Sequence, residues 1–195
     1  DATKKYSLKI FIITDKSRLS YPNKNFGNFK IFLKKKKLKF KSFNKYSDMS
    51  VYLKKNFNSE TTLLLSANCK WRIKSEIIKN YKYLLNYHNA DLPSQRGAAC
   101  HSWGIMMGKY RSSLNIHEIK EDYDVGNIVY AKKYALKNTT SNLETAYKQI
   151  QKVEKLFFKN FFHKFFNKNL NNLKKLENNS FYWPKLDQSK NSFVK

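Results

Sequence analysis

Residues 86–97 read Asn-Tyr-His-Asn-Ala-Asp-Leu-Pro-Ser-Gln-Arg-Gly, and residues 123–126 read Tyr-Asp-Val-Gly. Three of the five glycines and three of the four histidines lie between residues 88 and 117. A neutral amide, an imidazole and a carboxylate beside tight turns can together polarise a carbonyl group and move a proton. The sequence therefore predicts a functional site within residues 86–126.

Short apolar segments alternate along the chain with segments that have helical periodicity. Strands are predicted over residues 8–14, 38–43, 61–66, 83–87, 114–119 and 128–131, a loop over 20–29, and helices over 29–33, 47–56 (with Ser47 as N-cap), 73–79 and 97–108. Such alternation predicts an α/β fold with an open, mostly parallel, Rossmann-like sheet and flanking helices. Ligands of these sheets bind beyond the carboxyl ends of strands, which is where Asn86 and His88 lie.

A long helix is predicted at about residues 141–167, because Ser141 and Glu144 form a capping box ahead of an apolar stripe. The stripe consists of Tyr147, Ile150, Val153, Leu156, Phe157, Phe161 and Phe165, and we interpret it as a packing face. With 195 residues, the chain can form one domain with a complete core but not two ordinary ones. We therefore predict one domain over residues 1–178, with its core at 8–136 and the long helix as a C-terminal extension, followed by an aromatic and then polar tail at 179–195.

The formal net charge is +25, from 39 basic and 14 acidic residues. A charge of this size favours polyanionic partners such as nucleic acid. However, the basic residues are 35 Lys and only four Arg, whereas the recognition of bases and phosphates favours Arg. The excess of Lys, Asn, Phe, Tyr and Ile runs along the whole chain and is typical of an AT-rich genome. We therefore interpret most of the charge as solvated surface, with a modest steering effect on anionic substrates.

Composition also bears on location and metal binding. No apolar run is long enough to span a bilayer, and no signal peptide precedes the first predicted strand, so we expect a cytoplasmic protein without membrane contact. Cys69 and Cys100 form no CxxC pair and fit a reducing compartment, which argues against a disulfide scaffold or a structural zinc site. A zinc site made of His88, His117 and Asp124 is conceivable by ligand type, but we do not predict a metal.

Two common groups of enzyme signatures are missing from the sequence. It contains neither of the phosphate-loop patterns GxGxxG and GxxxxGK, and it has no GxSxG nucleophile elbow. Asn86, His88 and Asp124 remain as the candidates for catalysis. Each of them alone also fits a structural role: Asn86 as a turn cap, His88 as a hydrogen-bonded residue at a strand end, and Asp124 as an ordinary turn acid.

Four elements occur in order along the chain: Asn86-x-His88, Leu92-Pro93, Arg96-Gly97 and Asp124-x-Gly126. Together they resemble the folate-dependent formyltransferase family, which includes methionyl-tRNA formyltransferase and the sugar N-formyltransferases. The resemblance covers residues 60–135, and the interval of 36 positions from His88 to Asp124 is the one expected of the family. The chain departs from the family pattern at Asn89-Ala90-Asp91 and at Val125, where Thr is usual. Because the elements match in register, we favour the catalytic interpretation of all three candidates.

The resemblance implies that a formyl group is transferred from 10-formyltetrahydrofolate to a primary amine on the formyltransferase fold. Asn86 would stabilise the oxyanion, His88 would support the oxyanion or carry a proton, and Asp124 would orient His88 and accept the proton of the amine. The residues expected to hold the folate are Leu92, Pro93, Arg96, Gly97, Tyr123 and Gly126. We interpret His117 as a structural or supporting residue.

The length of the chain and its end favour one class of acceptor. Methionyl-tRNA formyltransferase adds a C-terminal β-barrel, for which this chain leaves no room. Ser102-Trp103 and residues 182–186 look more like the small enzymes that formylate amino sugars on nucleotide carriers, so we expect a nucleotide-linked amino sugar as acceptor. The alternatives are tRNA as acceptor, or a basic nucleic-acid-binding protein on an inactive formyltransferase scaffold. The oligomeric state stays open.

Overall fold

The computed structural model describes residues 8–137, 143–167 and 182–183 of the chain, and no helix within these ranges is both long enough and apolar enough to cross a bilayer. The chain divides into two compact units, the first made of Asp1–Leu63 and Cys69–Tyr83 and the second of Leu64–Asn68 and Leu84–Lys195. The single domain over residues 1–178 stays a prediction. The predicted cap Ser141 lies outside the described residues, as does the predicted tail at 179–195 apart from residues 182–183.

The described part of the first unit is built on a parallel pair of strands. Its elements are β1 (Phe11–Asp15), a 3-10 helix (Lys16–Ser20), β2 (Pro22–Asn23), β3 (Gly27–Asn28), α1 (Phe29–Lys35), β4 (Lys39–Phe43), α2 (Tyr46–Asn56) and α3 (Ser75–Ile78). β1 and β4 pair in parallel, from Phe11 opposite Lys39 to Asp15 opposite Phe43. β2 and β3 form a small antiparallel hairpin within residues 20–29, which were predicted as a loop. The other predicted elements of this unit are present, with ends shifted by a few residues.

The N-termini of helices α1 and α2 are stabilised by different hydrogen bonds. Asn28 caps α1, because its Oδ1 accepts a backbone hydrogen bond of 3.0 Å in the first turn. The prediction that Ser47 caps α2 is wrong: α2 begins one residue earlier, and its N-cap residue Lys45 makes no capping bond with its side chain. The first turn of α2 is instead tied down by Tyr46, whose hydroxyl accepts a hydrogen bond from the backbone N–H of Lys74 at 2.9 Å.

An aromatic cluster lies inside the first unit. The ring of Phe11 contacts the rings of Tyr52 and Phe57, with centroids 6.1 and 5.5 Å apart, and the ring of Phe43 lies 5.3 Å from that of Tyr52. The buried aliphatic residues of this unit are Leu33, Met49, Leu53 and Ile77. Strand β1 is therefore held to α2 by ring contacts and by burial of apolar surface.

The second unit contains the sheet that carries the predicted site. In chain order its elements are β5 (Leu63–Ala67), β6 (Tyr83–His88), β7 (Arg96–Gly97), α4 (Cys100–Met106), β8 (Arg111–Glu118), β9 (Ile128–Ala135), α5 (Leu143–Phe166) and β10 (Tyr182–Trp183). The sheet has the strand order β5-β6-β8-β9, and β10 pairs in parallel with β7. The α/β architecture with a C-terminal helix agrees with the prediction. β8, however, pairs antiparallel with both β6 and β9, where mostly parallel strands were predicted, and β9 can return beside β8 because only a short loop joins the two.

Helix α5 packs against this sheet with its aromatic stripe, as predicted. Phe157 is fully buried, and its ring contacts Tyr87 of β6 and Tyr130 of β9 with centroids 6.0 and 5.0 Å apart. Tyr147 and Leu156, which the prediction placed in the same stripe, are 44% and 46% exposed. The helix therefore supports β6 and β9 from one side of the sheet through a narrower stripe than the sequence suggests.

Candidate active site

The register between β6 and β8 brings predicted site residues onto one face of the sheet. Asn86 lies opposite His117, and His88 lies opposite Asn115. Directly opposed residues of antiparallel strands project to the same side, and so do alternate residues along one strand. These four side chains therefore share one face. Asp124 lies on the connection between β8 and β9.

Asp124 is the residue at which these side chains meet. Its Oδ1 accepts a hydrogen bond from Asn86 Nδ2 at 3.2 Å and lies 3.2 Å from Nε2 of His117. Its Oδ2 accepts a hydrogen bond from the backbone N–H of Gly97 at 2.9 Å and lies 3.6 Å from Nδ1 of His88. We call Asn86, His88, His117 and Asp124 the Asp124 cluster. The three predicted catalytic residues are thus neighbours in space, and catalysis by them stays a prediction.

The loop around Asp124 is shaped by its backbone. Asp124 has φ = 56°, in the left-handed region that Asp enters more readily than most residues. At Gly126 an added Cβ would lie 1.9 Å from the carbonyl oxygen of Glu118, so the loop passes directly against β8. Asn127 closes the loop, because its carbonyl accepts the N–H of Glu118 at 3.0 Å and its side chain donates to the Glu118 carboxylate at 3.0 Å. This packing accounts for the glycine at 126 and fixes Asp124 beside β8.

His88 is buried, and both of its ring nitrogens face protein groups. Nε2 donates a hydrogen bond to the carbonyl oxygen of Gln95 at 2.7 Å, so in the neutral ring Nδ1 is the unprotonated nitrogen. Burial lowers the pKa of His88, and the charge of Asp124 opposes this effect. At neutral pH His88 is therefore a neutral ring with an open proton site that faces a carboxylate.

Asp124 is ionised throughout the physiological range. Burial favours its neutral form, but the hydrogen bond from His117, the charge of protonated His88 and the N–H of Gly97 outweigh burial and lower the pKa of Asp124 to about 2. An ionised carboxylate only accepts hydrogen bonds. The amide of Asn86 must therefore turn its NH2 group, and not its carbonyl oxygen, toward Asp124.

The low pKa of Asp124 predicts a specific loss of stability in acid. A carboxyl group with a depressed pKa stabilises the fold above its unfolded value, near 3.8, and loses that contribution as the pH falls toward about 2. At about 1.4 kcal/mol per pKa unit, the wild type should lose about 2 kcal/mol from this group between roughly pH 5 and pH 2. Urea unfolding at a series of pH values should show this loss, and Asp124→Asn should lack it. Equal acid sensitivity of the two proteins would contradict the assignment.

The loop at residues 89–95 is anchored to β8. Asn115 donates from Nδ2 to the carbonyl oxygen of Ala90 at 2.6 Å, and Ser113 donates from Oγ to Oδ1 of Asp91 at 3.0 Å. Asp91 is one of the positions at which the motif departs from the family pattern, and here its side chain serves to hold the loop. β8 therefore positions the loop as well as one face of the site.

The residues predicted to hold the folate differ in their surroundings. Gly97 donates to the carboxylate of the cluster and has φ = 100°, a conformation that favours glycine. Leu92 is buried and precedes Pro93 through a cis peptide bond, whereas Tyr123 is 50% exposed. Nε of Arg96 is buried and has no hydrogen-bond partner among the described residues. Arg96 thus keeps an unused donor, the kind of group that a bound ligand satisfies.

A cavity of about 580 Å³ lies toward the opposite end of β8 from the Asp124 cluster. Its lining includes Asp91, Gln95, Lys109 and Arg111. Arg111 begins β8, and the distance from there to His117 corresponds to about 20 Å along a strand. The cavity therefore borders the loop that contacts His88 without being lined by the cluster itself.

His117 belongs to the cluster, although the sequence interpretation treated it as structural or supporting. Its Nδ1 donates to the carbonyl oxygen of Glu118 at 2.7 Å, and its Nε2 lies 3.1 Å from Asn86 Nδ2. Residues 114–119 were predicted as a strand, and in a strand alternate positions such as 115 and 117 share a face. The missing information was the register with β6, which sets Asn86 opposite His117.

The cluster is arranged for hydrogen bonding. The two histidines direct ring nitrogens at the two oxygens of the carboxylate and not at a shared point beside it. Within the residues that the structure describes, no three His, Cys, Asp or Glu side chains are grouped as metal ligands would be. The donor set therefore suits the polarisation of a carbonyl group and the movement of a proton.

A family model described as Formyl transferase matches residues 2–160. Among solved structures, the sugar 3N-formyl transferase WlaRD, in the presence of dTDP and 5-N-formyl-THF, is 21% identical with a TM-score of 0.66, covering 90% of this chain and 59% of that chain. The N-formyltransferase from Helicobacter canadensis, in complex with folinic acid and dTDP-3-aminofucose, is 18% identical with a TM-score of 0.67, covering 94% and 64%. The phosphoribosylglycinamide formyltransferase from Bacillus halodurans is 18% identical with a TM-score of 0.66, covering 85% and 87%.

The family model decides the classification. It covers most of the chain, and the chain therefore belongs to the formyl transferase family. The fold is the formyltransferase fold, so both the resemblance and the fold class predicted from the sequence are confirmed. The chain spans less than two thirds of the length of the first two structures. No curated protein sequence matches it.

Proposed function

We propose that this protein transfers a formyl group from 10-formyltetrahydrofolate to a primary amine. The observation that carries the proposal is the meeting of an amide, an imidazole and an ionised carboxylate at Asp124, with Asn86 at 3.2 Å and His88 at 3.6 Å. Membership of the formyl transferase family supports the same reaction.

The proposed reaction exchanges one C–N bond for another. The acceptor nitrogen bonds to the formyl carbon, the bond between that carbon and N10 of the folate breaks, and one proton moves from the acceptor nitrogen to N10. The formyl oxygen becomes more negative as the acceptor attacks, so an N–H donor aimed at this oxygen lowers the barrier. We assign Asn86 as this donor.

Asp124 and His88 handle the proton as a pair. With a pKa of about 2, Asp124 alone is a weak base. Nδ1 of His88, 3.6 Å away, is a stronger base, and an imidazolium formed there is stabilised by the neighbouring carboxylate. Asp124 therefore supplies the negative charge, and His88 supplies the atom that holds the proton.

The folate would be held by residues 92–97 and by the loop at 123–126, and when bound it supplies the activated formyl group. Arg96 fits this role, because its buried Nε has no partner among the described residues and can donate to an oxygen of a ligand. Gly97 leaves its segment without a side chain beside the Asp124 carboxylate. Residues 92–97 thus combine a free donor with room beside the cluster.

For the acceptor we propose a nucleotide-linked amino sugar. Two structures with the same fold were solved with dTDP or with dTDP-3-aminofucose, which supports this class of acceptor. The net charge of +25 would attract the diphosphate of such an acceptor. The charge would also attract tRNA, so the test must separate the two.

An acceptor screen tests this proposal. With 10-formyltetrahydrofolate, the purified protein should release tetrahydrofolate when a nucleotide-linked amino sugar is present, and mass spectrometry should find the sugar heavier by one formyl group. Charged initiator tRNA should stay unmodified. Turnover with tRNA alone would overturn the acceptor assignment. No turnover with any amine, together with salt-sensitive RNA binding that His88→Ala leaves intact, would favour the nucleic-acid-binding alternative.

A further inference from the structure

Three polar atoms of the Asp124 cluster form a triangle. Asn86 Nδ2 lies 3.1 Å from His117 Nε2 and 3.2 Å from Asp124 Oδ1, and these last two atoms are 3.2 Å apart. Each edge is short enough for a hydrogen bond, so the number of available hydrogens decides which bonds form. Nδ1 of His117 is already committed, because it donates to the carbonyl oxygen of Glu118 at 2.7 Å.

In the neutral state of His117, the ring carries its one N–H on Nδ1, and Nε2 can only accept. Asn86 then donates one N–H to Nε2 of His117 and the other to the ionised carboxylate of Asp124. Both hydrogens of the amide are used inside the protein. No N–H of Asn86 remains for a substrate.

In the protonated state of His117, Nε2 becomes a donor and bonds to Asp124. The N–H of Asn86 that faced Nε2 loses its acceptor and is repelled by the imidazolium. The other N–H of Asn86 stays on the carboxylate, which keeps the amide in place. One N–H is then free to donate to a carbonyl oxygen.

We propose that His117 is a positioning residue whose protonation releases one N–H of Asn86 to the formyl oxygen. The inference rests on the proposed function, because the released N–H acts on the carbonyl group that the reaction transfers. His117 works through Asn86 and needs no contact with the substrate itself. The proposal makes the strength of oxyanion stabilisation depend on pH.

The charged and titratable groups near His117 or Asp124 have different states. Asp124 on the β8–β9 loop is ionised, and His88 on β6 is neutral, with its ring centroid 6.2 Å from that of His117. Cys100 on α4 is a neutral thiol, because burial raises its pKa to about 12. The carboxylate of Glu118 pairs with Lys120 at 3.4 Å. Among these groups, Asp124 is the ionised one that lies beside Nε2 of His117, with its Oδ1 at 3.2 Å.

The pH dependence of kcat in His117→Gln tests the proposal. The side-chain NH2 of Gln can reach the position of Nε2 and donates at every pH, so it imitates protonated His117. Wild-type kcat should fall by about tenfold per pH unit above the titration of His117, and His117→Gln should lack this descending limb. His163→Gln, at an exposed histidine on α5, is the matched control and should keep the wild-type profile.

NMR of the free wild-type protein gives a second measurement, which needs neither turnover nor a folded variant. The side-chain NH2 of Asn86 should shift with pH along the same titration curve as the ring nitrogens of His117. An Asn86 signal that does not follow His117, or pH profiles of kcat that coincide for the wild type and His117→Gln, would overturn the inference. A wild type that formylates no amine would overturn the proposed function instead, while the Asn86 signal would still show whether the hydrogen bonds exchange.

Discussion

Asn86→Ala should lower kcat by about 10²–10³-fold, the size of effect that follows the removal of one donor to a developing oxyanion. The substitution removes the N–H that we assign to the formyl oxygen, and it also removes the hydrogen bond of 3.2 Å that helps to orient Asp124. KM should change less than kcat, because this N–H is needed chiefly in the transition state. Steady-state kinetics with the acceptor found in the screen measures both constants.

Asn86→Asp separates the chemistry of the side chain from its size. It places a second carboxylate where the amide nitrogen lies 3.2 Å from Asp124, and it offers no N–H donor when ionised. This variant should be as inactive at neutral pH as Asn86→Ala. Asn80→Ala is the control, since this exposed amide donates to the carbonyl of Glu76 near α3. A folded Asn86→Ala protein with kcat within about threefold of wild type would show that another group stabilises the oxyanion.

Gly126→Ala should destabilise the protein by about 3 kcal/mol or more, at the upper end of the cost of overpacking. The added Cβ would lie 1.9 Å from the carbonyl oxygen of Glu118 and 2.6 Å from its carbonyl carbon. Both are backbone atoms of β8 and cannot rotate away, so the loop itself must shift. Thermal unfolding should show a fall in Tm of roughly 6–12 °C for a chain of this length. Activity should fall as well, because Asp124 moves with the loop.

Gly108→Ala is the matched control for the effect of steric contact. Gly108 has φ = 67°, so alanine there is strained, but an added Cβ would meet no atom within 4 Å. The expected cost is about 1–2 kcal/mol, which reflects the backbone conformation alone. If Gly126→Ala cost no more than Gly108→Ala, the close approach of the loop to β8 would not hold in solution.

The strands could be predicted where apolar residues are continuous. Residues 8–14 and 61–66 overlap β1 and β5, because a short continuous run of apolar residues favours a strand. β8 and β9 are longer than predicted, beginning at Arg111 and ending at Ala135, because their ladder continues over polar residues. Pairing between backbones does not depend on the polarity of the side chains. The start of β8 and the end of β9 therefore could not be predicted from the sequence.

The candidate site could be predicted as a set of residues but not as an arrangement. Asn86, His88 and Asp124 share a motif, whereas the place of His117 depends on which strand lies beside β6. That register joins strands separated by α4 and is set by tertiary packing. The acceptor for Nε2 of His88 is the carbonyl of Gln95, a backbone atom that no residue type reveals.

Strand β6 has a second face, opposite the Asp124 cluster, and this face connects the candidate site to helix α5. Tyr87 projects away from the Asp124 cluster, its hydroxyl donates to Glu154 of α5, and its ring lies 6.0 and 4.8 Å from the rings of Phe157 and Phe158. A substitution at one of these α5 residues would tilt β6 and would therefore lower activity as a substitution in the Asp124 cluster does. Random mutagenesis should therefore yield variants of low activity at two groups of positions. One group lies in the motif, and the other lies along α5 at the spacing of helical turns. Substitutions in β6 and in the facing residues of α5 would therefore have to occur together for activity to be kept.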